Sequence, residues 1–181
     1  MEYVSKDINQ GRPIIFLDID GVLNNFYSIH GTFLEEREIY FDERNRARKR
    51  FINSKDILDN FINRTYYFDI DKIILLNKIV RESDANIVIS SSLRVDENVV
   101  KYLVARGFLF PDRVIGLTPC GDEHRGVQIK EWIEENDFKG DFIILDDDTS
   151  DIDPYFNRRK VFKVKGLNEH YANSILRRLV G

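Results

Sequence analysis

Five short apolar runs, rich in Ile, Val and Phe, constrain the fold of this 181-residue chain more than any other feature. Each run is too short for a helix and ends in polar or turn-forming residues. Because strands that are apolar on both faces are typical of a buried parallel sheet, each run predicts a central strand. The runs cover residues 13–17, 87–89, 113–117, 142–145 and 161–164.

Helical patterns separate most of these runs. Apolar side chains recur at helical spacing over residues 70–81, 97–106, 126–136 and 169–179. Gly107 directly follows the second pattern and is a suitable helix stop. Alternating strands and helices predict an open, doubly wound parallel α/β sheet with right-handed crossovers. Ligands bind at the carboxyl ends of the strands in such sheets, so the residues that follow each run are the candidate site.

The segment from about residue 25 to residue 68 interrupts this alternation. It is polar, aromatic and highly charged, and it predicts a small, mainly helical insertion after the first strand of a single domain that spans residues 1–181. Its basic run includes Arg46, Arg48 and Arg50. Two interpretations stay open: the run is a solvated helix face paired with nearby acids, or it binds the phosphate backbone of a nucleic acid.

Acidic residues follow the first and the fourth runs. Asp18 and Asp20 come directly after the first run, and Asp146 and Asp147 come after the fourth. Gly21 allows the chain to turn sharply there. Carboxylates that gather at one sheet edge repel each other unless a cation lies between them, and hard oxygen ligands suit Mg²⁺. A turn or a solvated loop is the alternative interpretation of each pair.

Hydroxyl groups and an arginine follow the second run. Ser90 comes directly after it, and Ser91, Ser92 and Arg94 are close behind. Such groups at a strand end can bind a phosphate. They can equally cap the next helix or, for Arg94, form a surface ion pair. We expect Ser90 to be the phosphate ligand, because it is nearest to the strand.

Composition narrows the functional class. The formal net charge of −4 gives the whole chain no attraction for nucleic acid or anionic lipid, so any such binding requires a local patch. Cys120 is the single cysteine, which excludes an internal disulfide and a cysteine-rich zinc site. No apolar run approaches the roughly 20 residues of a membrane span. These features, with no apolar leader at the N-terminus, predict a cytoplasmic protein that does not enter a membrane.

The strand-end motifs resemble those of the haloacid dehalogenase superfamily. Asp18-Ile19-Asp20-Gly21 matches its first motif, Ser90 its second, Arg125 loosely its third, and Asp146-Asp147 its fourth. A finer likeness is to the small phosphatase domains associated with RNA-repair proteins. It includes Ser90 to Arg94, the helix that begins Arg125-Gly126, and the three consecutive acids Asp146 to Asp148.

The resemblance implies a phosphomonoester hydrolase in which Asp18 is the nucleophile and Asp20 the general acid and base. Mg²⁺ would be held by Asp18, by Asp20 through its backbone carbonyl, and by Asp146 or Asp147. The phosphoryl group would be bound by four other side chains: Ser90, Ser91, Arg94 and Arg125. Lys130 is the alternative to Arg125 as the third-motif cation.

The finer likeness implies a phosphorylated substrate such as a nucleic-acid end or a nucleotide, with Arg46, Arg48 and Arg50 as possible contacts to it. The alternatives are a small-metabolite phosphatase, a phosphotransferase or phosphonate-cleaving relative, and a non-catalytic module that binds phosphate or nucleic acid.

Overall fold

The computed structural model describes residues 11–24, 68–121 and 124–181. The strands are β1 (Ile14–Leu17), β2 (Asn86–Ile89), β3 (Val114–Leu117), β4 (Phe142–Asp146) and β5 (Val161–Lys163). The helices are α1 (Ile70–Ser83), α2 (Val99–Ala105), α3 (Arg125–Glu135) and α4 (Glu169–Val180). Short 3₁₀ turns occupy Ser92–Val95 and Pro111–Arg113. All five predicted strands and all four predicted helices are confirmed to within a few residues.

The five strands form one parallel sheet in the order β3-β2-β1-β4-β5. In the register of this sheet, Leu17 at the end of β1 lies between Ile89 of β2 and Leu145 of β4. The residues that follow these three positions therefore meet at one edge of the sheet. The predicted α/β class is confirmed, and the order of the strands in the sheet places the acids and the hydroxyls at that common edge.

Helices cover both faces of the sheet. One buried cluster joins the side chains of Leu17 and Ile87 to those of α1, α2 and α4. A second cluster, on α3, packs Ile129 and Trp132 against Phe16 of β1. The alternation of side chains along each strand explains this division, because successive residues of a strand point to opposite faces. The sheet is thus doubly wound, as the sequence predicts.

The contact between α3 and the sheet is close. The rings of Trp132 and Phe16 meet edge to face, with centroids 5.5 Å apart. Gly116 of β3 faces the indole, and a Cβ at that position would lie 2.9 Å from Trp132 Nε1. A bulkier residue would push α3 outward, so Gly116 helps to fix the helix whose first residue is Arg125.

Two sequence predictions lie wholly or almost wholly outside the described residues. They are the helical insertion, of which the structure describes only Phe68, and the basic side chains Arg46, Arg48 and Arg50. Cys120 is exposed and forms no disulfide. None of the helices in the described ranges is long and apolar enough to cross a bilayer.

Candidate active site

Three carboxylates from two separate stretches of chain meet at the carboxyl edge of the sheet. Asp18 follows β1, Asp146 is the last residue of β4, and Asp147 is next to it. One oxygen from each of these carboxylates lies within 4.8 Å of one oxygen from each of the others. The Asp18 backbone N–H donates to the Leu145 carbonyl at 2.9 Å, which joins the two loops at their origin.

Burial makes two of these acids unusually weak. Burial, opposed by the Ile19 N–H, Ser91 and Arg125, raises the pKa of Asp18 to about 6. Burial and the nearby charge of Asp18 raise the pKa of Asp146 to about 7. For both groups the largest cause is burial away from water, and neighbouring carboxylates add to it.

The donor set fits a hard divalent cation. All three clustered ligand atoms are carboxylate oxygens, which Mg²⁺ prefers over sulfur or imidazole. A dication among them would favour the charged forms of Asp18 and Asp146, whose pKa values are raised without it. The remaining positions around such an ion would be filled by water, a backbone carbonyl or a phosphoryl oxygen.

Gly21 allows Asp147 to approach the first loop. Its φ angle is +71°, in the left-handed region that side chains disfavour. A Cβ at this position would lie 2.3 Å from Asp147 Oδ2. The glycine is therefore required both by the turn after Asp20 and by the position of the third carboxylate.

Asp20 lies outside the three-carboxylate cluster. Its Oδ2 accepts from the Ser92 hydroxyl at 3.3 Å, and its Oδ1 accepts from the Asn24 amide at 3.4 Å. Asn24 Oδ1 in turn accepts from the Gly21 N–H at 2.7 Å, which holds the turn closed. Hydrogen bonds thus hold the Asp20 side chain beside the three-carboxylate cluster, of which it is not a member.

Arg125, the first residue of α3, reaches into the cluster. Its Nη1 lies 2.6 Å from Asp146 Oδ2 and 3.6 Å from Asp18 Oδ2. Asp151 orients the guanidinium by accepting from Nε at 3.2 Å and from Nη2 at 3.0 Å. The same carboxylate accepts from the Arg125 backbone N–H at 3.1 Å and so also caps the helix.

Lys130 lies elsewhere on α3. It is exposed, and its Nζ is 5.3 Å from the centre of the Tyr155 ring. Of the two cations that the sequence offers for the third motif, Arg125 is the one that the structure brings to the carboxylates.

The three consecutive serines have different surroundings. Ser91 opposes the rise in the pKa of Asp18, and its Oγ accepts from the Leu93 N–H at 3.3 Å. Ser92 contacts Asp20. Ser90 Oγ is buried and has no hydrogen-bond partner within the described part of the chain. A buried hydroxyl without a partner costs about 1–3 kcal/mol, so Ser90 is placed to accept a ligand or water as its partner.

The Arg94 guanidinium binds protein groups, whereas one of the two sequence interpretations had it binding phosphate. Its Nε donates to the Thr118 carbonyl, Nη1 to the carbonyls of Ser90 and Ser91, and Nη2 to Pro119 O and Gln128 Oε1, all at 2.7–3.1 Å. These five hydrogen bonds use the five N–H donors of a guanidinium. The side chain is 9% exposed and fastens the loop after β2 to the loop after β3.

Sequence reasoning missed three residues in and around the site, which are Asn24, Thr118 and Asp151. Asn24 closes the first loop, and Thr118 has a second buried hydroxyl without a described partner. Asp151 follows a run of acids, and nothing in its spacing indicates that it binds Arg125. Thr118 could have been recognised from its position directly after the third apolar run, because the carboxyl ends of parallel strands lie at the same edge of the sheet.

The chain belongs to a family within the haloacid dehalogenase superfamily. Residues 14–171 match the family described as the HAD domain in Swiss Army Knife RNA repair proteins. The superfamily that the sequence motifs suggested is therefore confirmed. No curated protein and no solved structure matches the chain.

Proposed function

We propose that this protein is a Mg²⁺-dependent phosphomonoester hydrolase that forms an aspartyl-phosphate on Asp18. The observation that carries the proposal is the meeting of Asp18, Asp146 and Asp147 within 4.8 Å at the strand ends, with Arg125 contacting two of them. A carboxylate nucleophile beside a cation site and a fixed guanidinium suits phosphoryl transfer, in which the enzyme mainly positions groups and balances charge.

In the proposed first step, an oxygen of Asp18 attacks phosphorus and the bond to the leaving oxygen breaks. Asp20 donates a proton to that oxygen. Asp20 then takes a proton from the water that attacks the phosphorus of the aspartyl-phosphate, which releases inorganic phosphate and restores Asp18. Ser92 and Asn24 hold the Asp20 carboxylate in place for both transfers.

Two further groups would stabilise the phosphoryl oxygens. Ser90 would donate its hydroxyl, which has no partner among the described residues, and Arg125 would supply positive charge from the start of α3. A bound Mg²⁺, held by Asp18, Asp146 or Asp147 and the Asp20 carbonyl, would offset the repulsion between the anionic nucleophile and the anionic substrate. Arg94 would act indirectly, by fixing the backbone of Ser90 and Ser91.

We propose that the phosphate is carried by a nucleic-acid end or a nucleotide. The support is the RNA-repair context of the matching family. A phosphorylated small metabolite is the alternative, and the same three carboxylates would serve it.

A magnesium-dependent phosphatase assay with a small aryl phosphate, comparing wild type with Asp18→Asn, tests the chemistry. We expect turnover by the wild type, loss on chelation, and essentially complete loss in the variant because its amide is not a nucleophile. Lys101→Gln, an exposed change on α2, is the matched control. Equal turnover by Asp18→Asn and wild type would contradict the proposal.

A substrate panel tests the substrate class. It compares 3′- and 5′-phosphorylated oligonucleotides, nucleotides and sugar phosphates at equal concentration. A higher kcat/KM for oligonucleotides than for sugar phosphates supports the nucleic-acid version, and the reverse order supports the metabolite alternative.

A further inference from the structure

A dense group of cations lies along the edge strand β5, from the residues that precede it to those that follow it at the carboxyl edge of the sheet. Five of the nine residues from 157 to 165 are basic and none is acidic, although the formal net charge of the chain is −4. We call this group the β5 basic stretch; it consists of Arg158, Arg159, Lys160, Lys163 and Lys165. It is a local basic patch in a chain whose net charge is negative.

The β5 basic stretch leads to the candidate active site. In the sheet register, Lys163 pairs with Asp146, the buried acid at the end of β4. Three residues later, the Gly166 N–H donates to the Gly21 carbonyl at 2.6 Å. Lys165 is therefore adjacent to the residue that touches the Asp18-to-Gly21 loop, and β5 is an edge strand of the described sheet.

Most of these cations form no ion pair with any acid in the described part of the chain. Lys160 pairs with Asp141. Arg158, Arg159, Lys163 and Lys165 are exposed, and none lies within ion-pair distance of an acid in the described ranges.

The geometry suits a repeating polyanion. Val164 is buried between exposed Lys163 and Lys165, so the two lysines project from the same side of an extended chain. Positions i and i+2 of such a chain are about 6.6 Å apart, comparable with successive phosphates along an extended single strand. An acidic peptide lacks the phosphate end that the neighbouring site would accept.

We propose that the β5 basic stretch binds the phosphodiester backbone of a single-stranded nucleic acid whose terminal phosphate enters the site at Asp18. This inference rests on the proposed function and names the surface that would distinguish a nucleic-acid end from a small phosphate ester. Backbone contacts of this kind carry no sequence preference and depend strongly on salt.

The test measures binding separately from catalysis. Fluorescence anisotropy follows the binding of a labelled single-stranded oligouridylate with hydroxyl groups at both ends, over a series of salt concentrations. The variant is Lys163→Gln/Lys165→Gln. The matched control is Lys101→Gln/Lys139→Gln, which removes the same charge from α2 and from the loop before β4.

The expected result follows from counterion release. Each lost phosphate contact reduces the slope of log K against log salt by about 0.7 for a single strand, so the variant slope is smaller by about 1.4. The affinity advantage of the wild type then falls about sevenfold between about 50 and 200 mM salt. The control keeps the wild-type slope.

An unchanged slope in the Lys163/Lys165 variant, or an equal change in the control, would overturn the proposal. So would tighter binding of an oligoglutamate peptide than of the strand. Because the probe has no phosphate end, loss of phosphatase activity on every substrate would count against the proposed function while leaving this binding result intact.

Discussion

Replacement of Gly21 by alanine tests whether the first loop and Asp147 are coupled as the structure has them. The new Cβ would lie 2.3 Å from Asp147 Oδ2, 2.4 Å from its Cγ and 2.7 Å from its Cβ. Side-chain atoms this close must move. The φ angle of +71° adds the cost of a left-handed conformation, about 1–2 kcal/mol for a residue with a Cβ.

The steric part of the cost is separable from the backbone part. Overpacking of this kind costs about 1–3 kcal/mol, so Gly21→Ala should lower the free energy of unfolding by about 2–5 kcal/mol in total. In an Asp147→Gly background the clashing atoms are gone, and only the backbone part of about 1–2 kcal/mol remains. The double-mutant cycle should therefore give a coupling of about 1–3 kcal/mol.

The assay is urea unfolding in the presence of a chelator, so that metal binding does not contribute to the free energy of unfolding. A second measurement records how far added Mg²⁺ raises the melting temperature, an increase that should shrink in Gly21→Ala because Asp147 is displaced. Equal costs of Gly21→Ala in the two backgrounds would show that Gly21 and Asp147 are not in contact.

Three further changes test the surrounding contacts. Arg125→Lys should lower kcat on a small aryl phosphate by about 10²–10³, since an ammonium cannot reproduce the planar fork; a change under threefold in steady-state kinetics would contradict this role. Arg94→Met should lower the free energy of unfolding by at least about 3 kcal/mol, because several buried carbonyls lose their donor; urea unfolding measures it, and a loss below about 1 kcal/mol would count against it. Asp141→Asn should cost about 1 kcal/mol at neutral pH, a value discounted because the carboxylate is partly exposed. The hydrogen bonds and ion pairs with Arg178 and Lys160 lower the pKa of Asp141 in the folded protein. The stability that Asp141 contributes is therefore complete above its pKa in the unfolded chain, about 4, and is lost as the pH falls toward its lower pKa in the folded protein. Unfolding of both proteins from pH 7 to 3 checks it, and a gap that widens on acidification would be the wrong sign.

The sheet and the acidic site were predictable because their signals are local. Each strand is a short apolar run, and Asp18 and Asp146 stand directly at the ends of two of them. Parallel strands bring such ends to one edge, so the meeting of the two acids follows from the fold class. The turn at Gly21 was likewise indicated by the residue type.

The roles of individual polar side chains were less predictable because tertiary contacts decide them. Ser90, Ser91 and Ser92 are the same residue type, yet their surroundings differ. Among the described residues Ser90 Oγ has no hydrogen-bond partner, Ser91 lowers the pKa of Asp18, and Ser92 donates to Asp20. The sequence left Arg94 open between a phosphate contact and a surface ion pair. In the structure, carbonyls of its own loop and of the loop after β3, with the Gln128 side chain, use all its donors. No sequence spacing encodes these partners.

The most direct test of phosphoryl transfer to Asp18 is a crystal structure of the protein with Mg²⁺ and beryllium trifluoride, which mimics a phosphoryl group on a carboxylate. We expect beryllium bonded to an Asp18 oxygen, with Mg²⁺ held by Asp18 and by Asp146 or Asp147, and with Arg125 and Ser90 contacting the fluorides. Beryllium bonded to another residue, or Mg²⁺ bound away from these three carboxylates, would contradict it.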